Sequence, residues 1–153
     1  MTWAHLHLAL NHVPVIGILF IVLLLGTAVA RGNSDLTRAS YGLIVVVAVI
    51  AIAVYFTGEP AEELVEKLPG FSEPLVERHE DAALIATLGM SLLGVAAIVG
   101  LVRRQRGWYS KAVLALSLVV FALMGWTANL GGQIRHTEIR STATAIDTTG
   151  EDD

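Results

Sequence analysis

The chain has 153 residues, of which 54% are hydrophobic and only 16% charged, and its mean hydropathy is +0.65. A soluble domain of this length is rarely so apolar. The chain has no cysteine and a formal net charge of −4. The lack of cysteine excludes disulfides, thiolate metal sites, iron–sulfur clusters and c-type haem attachment.

Four long stretches carry no charged residue, at 6–30, 39–58, 82–102 and 112–134. Each has the ~20 apolar residues that a helix needs to cross a bilayer. We therefore predict an all-α integral membrane protein, an antiparallel four-helix bundle formed by residues 1–140. The expected spans are about 12–30, 40–57, 80–102 and 111–131.

The first stretch could instead be a secretory signal peptide, because Ala28-Val29-Ala30 resembles a cleavage site. However, residues 1–11 contain no Lys or Arg for the positively charged region that precedes a signal sequence. We therefore interpret the stretch as a membrane helix.

Charge placement predicts the topology. The two short connections at 31–38 and 103–111 hold six of the ten basic residues, so the positive-inside bias places them in the cytoplasm. Both termini and the 59–81 loop then face the periplasm of a bacterial-type inner membrane, together with thirteen of the fourteen acidic residues. The acidic tail at 141–153 is predicted to be disordered.

The 59–81 loop has helical signals of its own. Pro60, followed by acidic residues and ended by Pro69-Gly70, predicts a short helix on the membrane surface. Ser72 is a candidate N-cap for a helix that continues into the third span.

All five histidines fall on the predicted outer side: His5, His7, His12, His79 and His136. His12, His79 and His136 flank spans at similar depth, so we expect them to converge at one end of the bundle. Ionisable groups at this depth usually mark a functional site.

A haem is one cofactor that this pattern favours. Small residues form a stripe below His79, at Ala82, Ala83, Ala86 and Gly89. This stripe would give a porphyrin clearance between His12 and His79 as axial ligands of haem b. Arg78 and Arg135 are candidates to bind its propionates.

A non-haem metal site is the alternative. Zinc, copper, iron or manganese would be held by histidines together with Glu59, Glu63 and Glu80. No H-E-x-x-H or E-x-x-H spacing is present to select one metal.

The segment His7-Leu8-Ala9-Leu10-Asn11-His12-Val13-Pro14 resembles the opening of the bacterial DUF2231 membrane family, in which two histidines and a proline follow this spacing. Gly58-Glu59 after the second span and His79 at the third are also similar. The resemblance covers roughly the first ninety residues. The chain departs from the family at Leu8, where the family has proline, and at 131–136, which finds no counterpart.

Relatives of this type joined to Rieske or cytochrome c modules imply a haem-bearing role in electron transfer. In a regular helix His7 and His12 lie about 140° apart, so they would not ligate the same metal. His7 would then serve a second haem, with His136, or would not be a ligand.

Three functions follow from these observations. The first is a small b-type cytochrome that passes electrons to a redox partner or larger membrane complex. The second is a membrane enzyme or metal-handling protein with a His/Glu site. The third is a structural subunit whose histidines cap helices. The sequence has no nucleophile triad, phosphate loop or nucleic-acid surface.

Overall fold

The computed structural model describes residues 3–67, 69–104, 107–136 and 139–140. Six helices follow one another along the chain: α1 (Trp3–Leu10), α2 (His12–Arg31), α3 (Ser34–Phe56), α4 (Glu59–Val65), α5 (Glu73–Val102) and α6 (Trp108–Arg135). Four apolar helical segments are long enough to cross a membrane, and α1 and α2 together form the first of them. The predicted tail at 141–153 lies outside the described residues.

Asn11 separates α1 from α2, and Pro14 explains the interruption. Proline has no N–H to donate to the carbonyl of Leu10, and its ring clashes with that carbonyl in a regular helix. The regular helical hydrogen bonding is broken at Asn11, although its backbone keeps helical dihedral angles (φ −60°, ψ −26°) and its N–H still donates to the carbonyl of His7.

The four spans form the predicted antiparallel bundle. α2 packs against α3 and α6, and α5 packs against the same two helices, so α2 and α5 lie on a diagonal. Buried side chains recur every three or four residues in each span, as at Ile18, Ile21 and Leu25 of α2. These faces form one core through the length of the bundle.

The outer faces of the spans are also apolar. Phe20 and Leu23 of α2, Val49 of α3 and Leu88 of α5 are each about 60% exposed. In water such large apolar patches would be unfavourable, whereas in a bilayer they contact lipid tails. The structure therefore agrees with a membrane protein.

Small residues allow the helices to approach closely. A Cβ on Gly94 of α5 would lie 2.8 Å from the Cβ of Ala48 on α3. A Cβ on Gly100 would lie closer still to the ring of Tyr41, which packs directly on the glycine. Such small-residue contacts are the usual basis of helix packing in membranes.

The helices extend beyond the hydrophobic spans. α3 begins at Ser34 because the Asn33 side chain accepts hydrogen bonds from the N–H groups of Asp35 and Leu36. α5 begins at Glu73, with Pro74 in its first turn. Ser72 is its N-cap residue by position, but its hydroxyl makes no capping bond.

The two ends of the bundle differ in charge. We call the end formed by α1, α4, the start of α5 and the end of α6 the acidic end, and the end formed by the α2–α3 and α5–α6 connections the basic end. The predicted short loop helix is present as α4 and packs against α1. Arg140 closes the acidic end, since it donates hydrogen bonds to the carbonyls of Gln133, Ile134 and Gly70.

Candidate histidine site

His7 is held against the end of α3. Its Nδ1 lies 3.0 Å from the hydroxyl oxygen of Thr57 and 3.2 Å from the carbonyl oxygen of Val54. The Thr57 hydroxyl donates to the same Val54 carbonyl over 2.7 Å. Gly58 lies beside the ring, and a Cβ on it would be at ordinary contact distance, 3.9 Å, from Cε1 of His7.

His79 is held between α5 and α6. Its Nδ1 lies 3.1 Å from the carbonyl oxygen of Thr127. One turn further along α6, Gly131 lies against the imidazole: a Cβ at this position would be 3.0 Å from Cε1 and 3.3 Å from Nδ1. The absence of a side chain on Gly131 is thus a condition for this position of the ring.

These contacts fix the tautomer of both imidazoles. A carbonyl oxygen only accepts hydrogen bonds, and the Thr57 hydroxyl has already used its proton, so Nδ1 must be the protonated nitrogen in each ring. Nε2 then carries a lone pair in both His7 and His79. Among the described residues, neither Nε2 makes a hydrogen bond.

The two imidazoles both lie at the acidic end of the bundle. They come from different helices, α1 and α5, and each is oriented by a backbone carbonyl of a third, Val54 of α3 or Thr127 of α6. A histidine that donates Nδ1–H to a carbonyl and presents Nε2 is oriented as metal-ligating histidines are. The structure therefore presents two imidazoles whose hydrogen bonds leave Nε2 as the basic nitrogen.

The structure does not bring His12 to His79. His12 is exposed and continues the lipid-facing line of Ile16 and Leu19 on α2, which lies diagonally across the bundle from α5. His136 caps the end of α6, where its N–H donates to the carbonyl of Gly132. The roles of His12 and His136 as ligands stay predictions.

The charged candidates all lie at the acidic end. Arg78 and Arg135 are exposed there, each next to a histidine in the sequence. Glu59 and Glu63 are exposed on α4, which packs against the helix that carries His7. Their predicted contacts with a cofactor stay predictions.

Glu80, beside His79, contacts a second carboxyl group. The pKa of Glu62 is raised, first by partial burial and then by a hydrogen bond to Glu80 and the negative charges of Glu80, Glu59 and Glu73. A carboxyl pair of this kind shares a proton more readily than isolated carboxylates do. Glu138 lies outside the described residues.

The small-residue stripe below His79 is used for helix packing. Ala82 and Ala86 are fully buried. A Cβ on Gly89 would lie 3.4 Å from Val120 and 3.5 Å from Leu123 of α6. This stripe therefore provides no free space for a porphyrin beneath His79. The argument for a haem depends on the two imidazoles instead.

A family model described as "Predicted membrane protein (DUF2231)" matches residues 5–139. The chain belongs to this family. The match extends well beyond the first ninety residues, where the resemblance was first noted. It includes residues 131–136, for which the motifs alone gave no counterpart in the family. No curated protein and no solved structure matches the chain significantly.

Several residues that hold His7 and His79 in this DUF2231 protein were not predicted from the sequence as site residues. Thr57, Val54 and Thr127 supply hydrogen-bond partners, and two of them act through the backbone carbonyl, which no side-chain pattern reveals. The Gly131-Gly132 pair and Gly58 were the available signals. Of these glycines, Gly131 packs closely on a ring, that of His79, whereas Gly58 is at ordinary contact distance from His7.

Proposed function

We propose that this DUF2231 protein is a b-type cytochrome-like electron carrier in the membrane, with His7 and His79 as the axial ligands of one haem. The observation that supports the proposal is the matched orientation of the two imidazoles. Both are fixed through Nδ1 to a backbone carbonyl, and both present a basic Nε2. Of the metal centres considered, this donor set fits a bis-histidine haem best.

The number of ligands also favours a haem over a bare ion. Within the described part of the chain, no group of three or more His, Asp or Glu side chains is arranged to hold a metal ion. Structural or catalytic zinc sites use three or four protein ligands. A porphyrin supplies four of its own, so two histidines complete the coordination.

Each part of the site would have a defined task. A bound haem would supply a one-electron iron couple. The chain orients the imidazoles through Val54, Thr57 and Thr127, and the His79 ring packs on Gly131. Arg78 and Arg135 are the proposed propionate partners at the water boundary. A redox partner would dock at the acidic end, where the site is closest to water.

Absorption spectra test this proposal directly. Protein purified from membranes of a haem-sufficient host should show a Soret band and, after reduction with dithionite, the sharp α and β bands of low-spin haem b. Pyridine haemochrome analysis should give about one haem per chain, as the single axial pair requires. Protein without a Soret band would contradict the proposal.

A non-haem metal site is the second candidate, and the Glu62–Glu80 carboxyl pair beside His79 is the observation that favours it. Carboxylates near imidazoles suit zinc, copper, iron or manganese. Elemental analysis of the same sample separates the two functions. Stoichiometric metal without a porphyrin would support a metal-handling protein or metalloenzyme instead of a cytochrome.

We further propose that the acidic end faces the periplasm of a bacterial-type inner membrane, because the basic end holds six of the ten basic residues. Alkaline phosphatase fused after Asp153 should be active, and the same reporter inserted within 103–111 should be inactive. A green fluorescent protein fusion should give the reverse pattern. A cytoplasmic C-terminus would place the histidine site on the opposite side.

A further inference from the structure

A cavity of about 100 Å³ lies at the basic end, opposite the histidine site. The end of α2, the Gly32-Asn33 turn and the first turns of α3 and α6 surround it. Ala28 and Val29 form an apolar side, while Asn33, Ser34 and Lys111 are among the residues of the polar side. An amphipathic cavity between helix ends suits a ligand with a polar head and an apolar body.

Three side chains of the cavity wall have N–H or O–H groups available to donate: Asn33, Ser34 and Lys111. The Thr37 and Ser110 hydroxyls already donate to the carbonyls of Asn33 and Gly107, so they shape the wall. The Asn33 side-chain oxygen accepts two backbone N–H groups, which leaves its NH₂ group to donate. Ser34 adds a hydroxyl and Lys111 an ammonium group. Donors with one positive charge select an anion.

The charged residues around the cavity also favour an anion. Arg31, Arg38 and Arg103 are exposed at this end, and Asp35, the one acidic residue of the two connections, does not line the cavity. Trp108 is 74% exposed next to the cavity, in the position of an aromatic residue at the headgroup level. This places the cavity at the depth of lipid phosphates. Basic pockets between membrane helices commonly bind anionic headgroups.

We propose that this cavity binds the phosphate group of an anionic phospholipid, with Lys111, Ser34 and the Asn33 amide as its donors. The site is independent of the haem proposal, since it lies at the other end of the bundle and shares no residue with it. A lipid phosphate brings a glycerol and acyl body to the Ala28 side of the cavity. Free phosphate would use the same donors without this apolar contact.

Native mass spectrometry of the full chain in detergent tests the site. With phosphatidylglycerol, one lipid per chain should be retained preferentially over phosphatidylcholine. Ser34→Ala and Lys111→Ala should each weaken this binding about tenfold, the effect expected for loss of a hydrogen bond to a charged group. Asn33 keeps its cap in both variants, so α3 should still fold, and a melting curve without lipid checks this.

Two control variants separate a built site from diffuse attraction. Arg103→Ala removes one charge from the same end, outside the cavity, and should cost at most about fivefold. Ser91→Ala removes a hydroxyl within α5 and should cost nothing. Equal losses in Lys111→Ala and Arg103→Ala, with Ser34→Ala unchanged, would overturn the proposal. So would inorganic phosphate binding with the same dependence on Ser34 while phosphatidylglycerol does not bind.

Discussion

Replacing either His7 or His79 by alanine should remove the six-coordinate haem spectrum almost completely. Each variant loses one axial ligand, which leaves five-coordinate, usually high-spin iron or an empty pocket. The two histidines should therefore give the same spectral defect, although they lie on different helices and have different hydrogen-bond partners. Spectra of the oxidised and reduced purified proteins, normalised to protein concentration, measure the effect.

His12→Ala is the matched control, because His12 is a histidine of the same membrane segment as His7 but lies exposed on α2. It should keep the low-spin spectrum. Loss of the spectrum in His12→Ala, with His7→Ala unaffected, would instead restore the ligand pair that the sequence predicted. Chains that fail to fold are recognised by gel filtration and by helical circular dichroism.

Gly131→Ala should have the second largest effect, although it adds only one methyl group. The new Cβ would lie 3.0 Å from Cε1 of His79 and 3.3 Å from Nδ1, so the imidazole must move by a few tenths of an ångström, which weakens its bond to the Thr127 carbonyl. We expect a loss of about 1–3 kcal/mol in stability, typical of overpacking. Haem retention should fall several-fold, measured as the Soret to protein absorbance ratio.

Gly125→Ala provides the control on the same helix. A Cβ at Gly125 meets nothing within 4 Å, so this substitution adds the same methyl group without displacing a neighbour. Its melting temperature should be unchanged or slightly higher, because alanine favours a helix over glycine. If both variants behaved alike, the contact between Gly131 and His79 would not be important for the site.

The bundle was predictable because charge-free stretches and topogenic basic loops are properties of the sequence itself. The starts of the helices were harder to predict. α3 begins at Ser34 with Asn33 as its cap, so the helix includes Asp35 and Arg38, whose charges lie outside the apolar span. The position of each histidine relative to the ends of the spans correctly predicted that the histidines lie at one end of the bundle. This position alone could not show which face of α2 carries His12.

Only the three-dimensional structure shows that His7 lies against the end of α3 while His12 is exposed on α2. Sequence reasoning assumed one regular helix, whereas Pro14 breaks its hydrogen bonding at Asn11. The groups that orient His7 and His79 are largely backbone carbonyls. Since every residue has one, no residue type at Val54 or Thr127 signals this role in advance.

The interruption at Asn11 also affects the energetics of binding. α1 is joined to α2 through the helical backbone of Asn11, and it is held at the acidic end by its contacts with α4 and by the bonds of His7 to α3. Any ligand held by His7 must therefore stabilise the docked form of α1 by mass action, by about 2.7 kcal/mol at a hundred times its Kd. Protection of the α1 amides against hydrogen exchange should therefore increase as the ligand occupies the site.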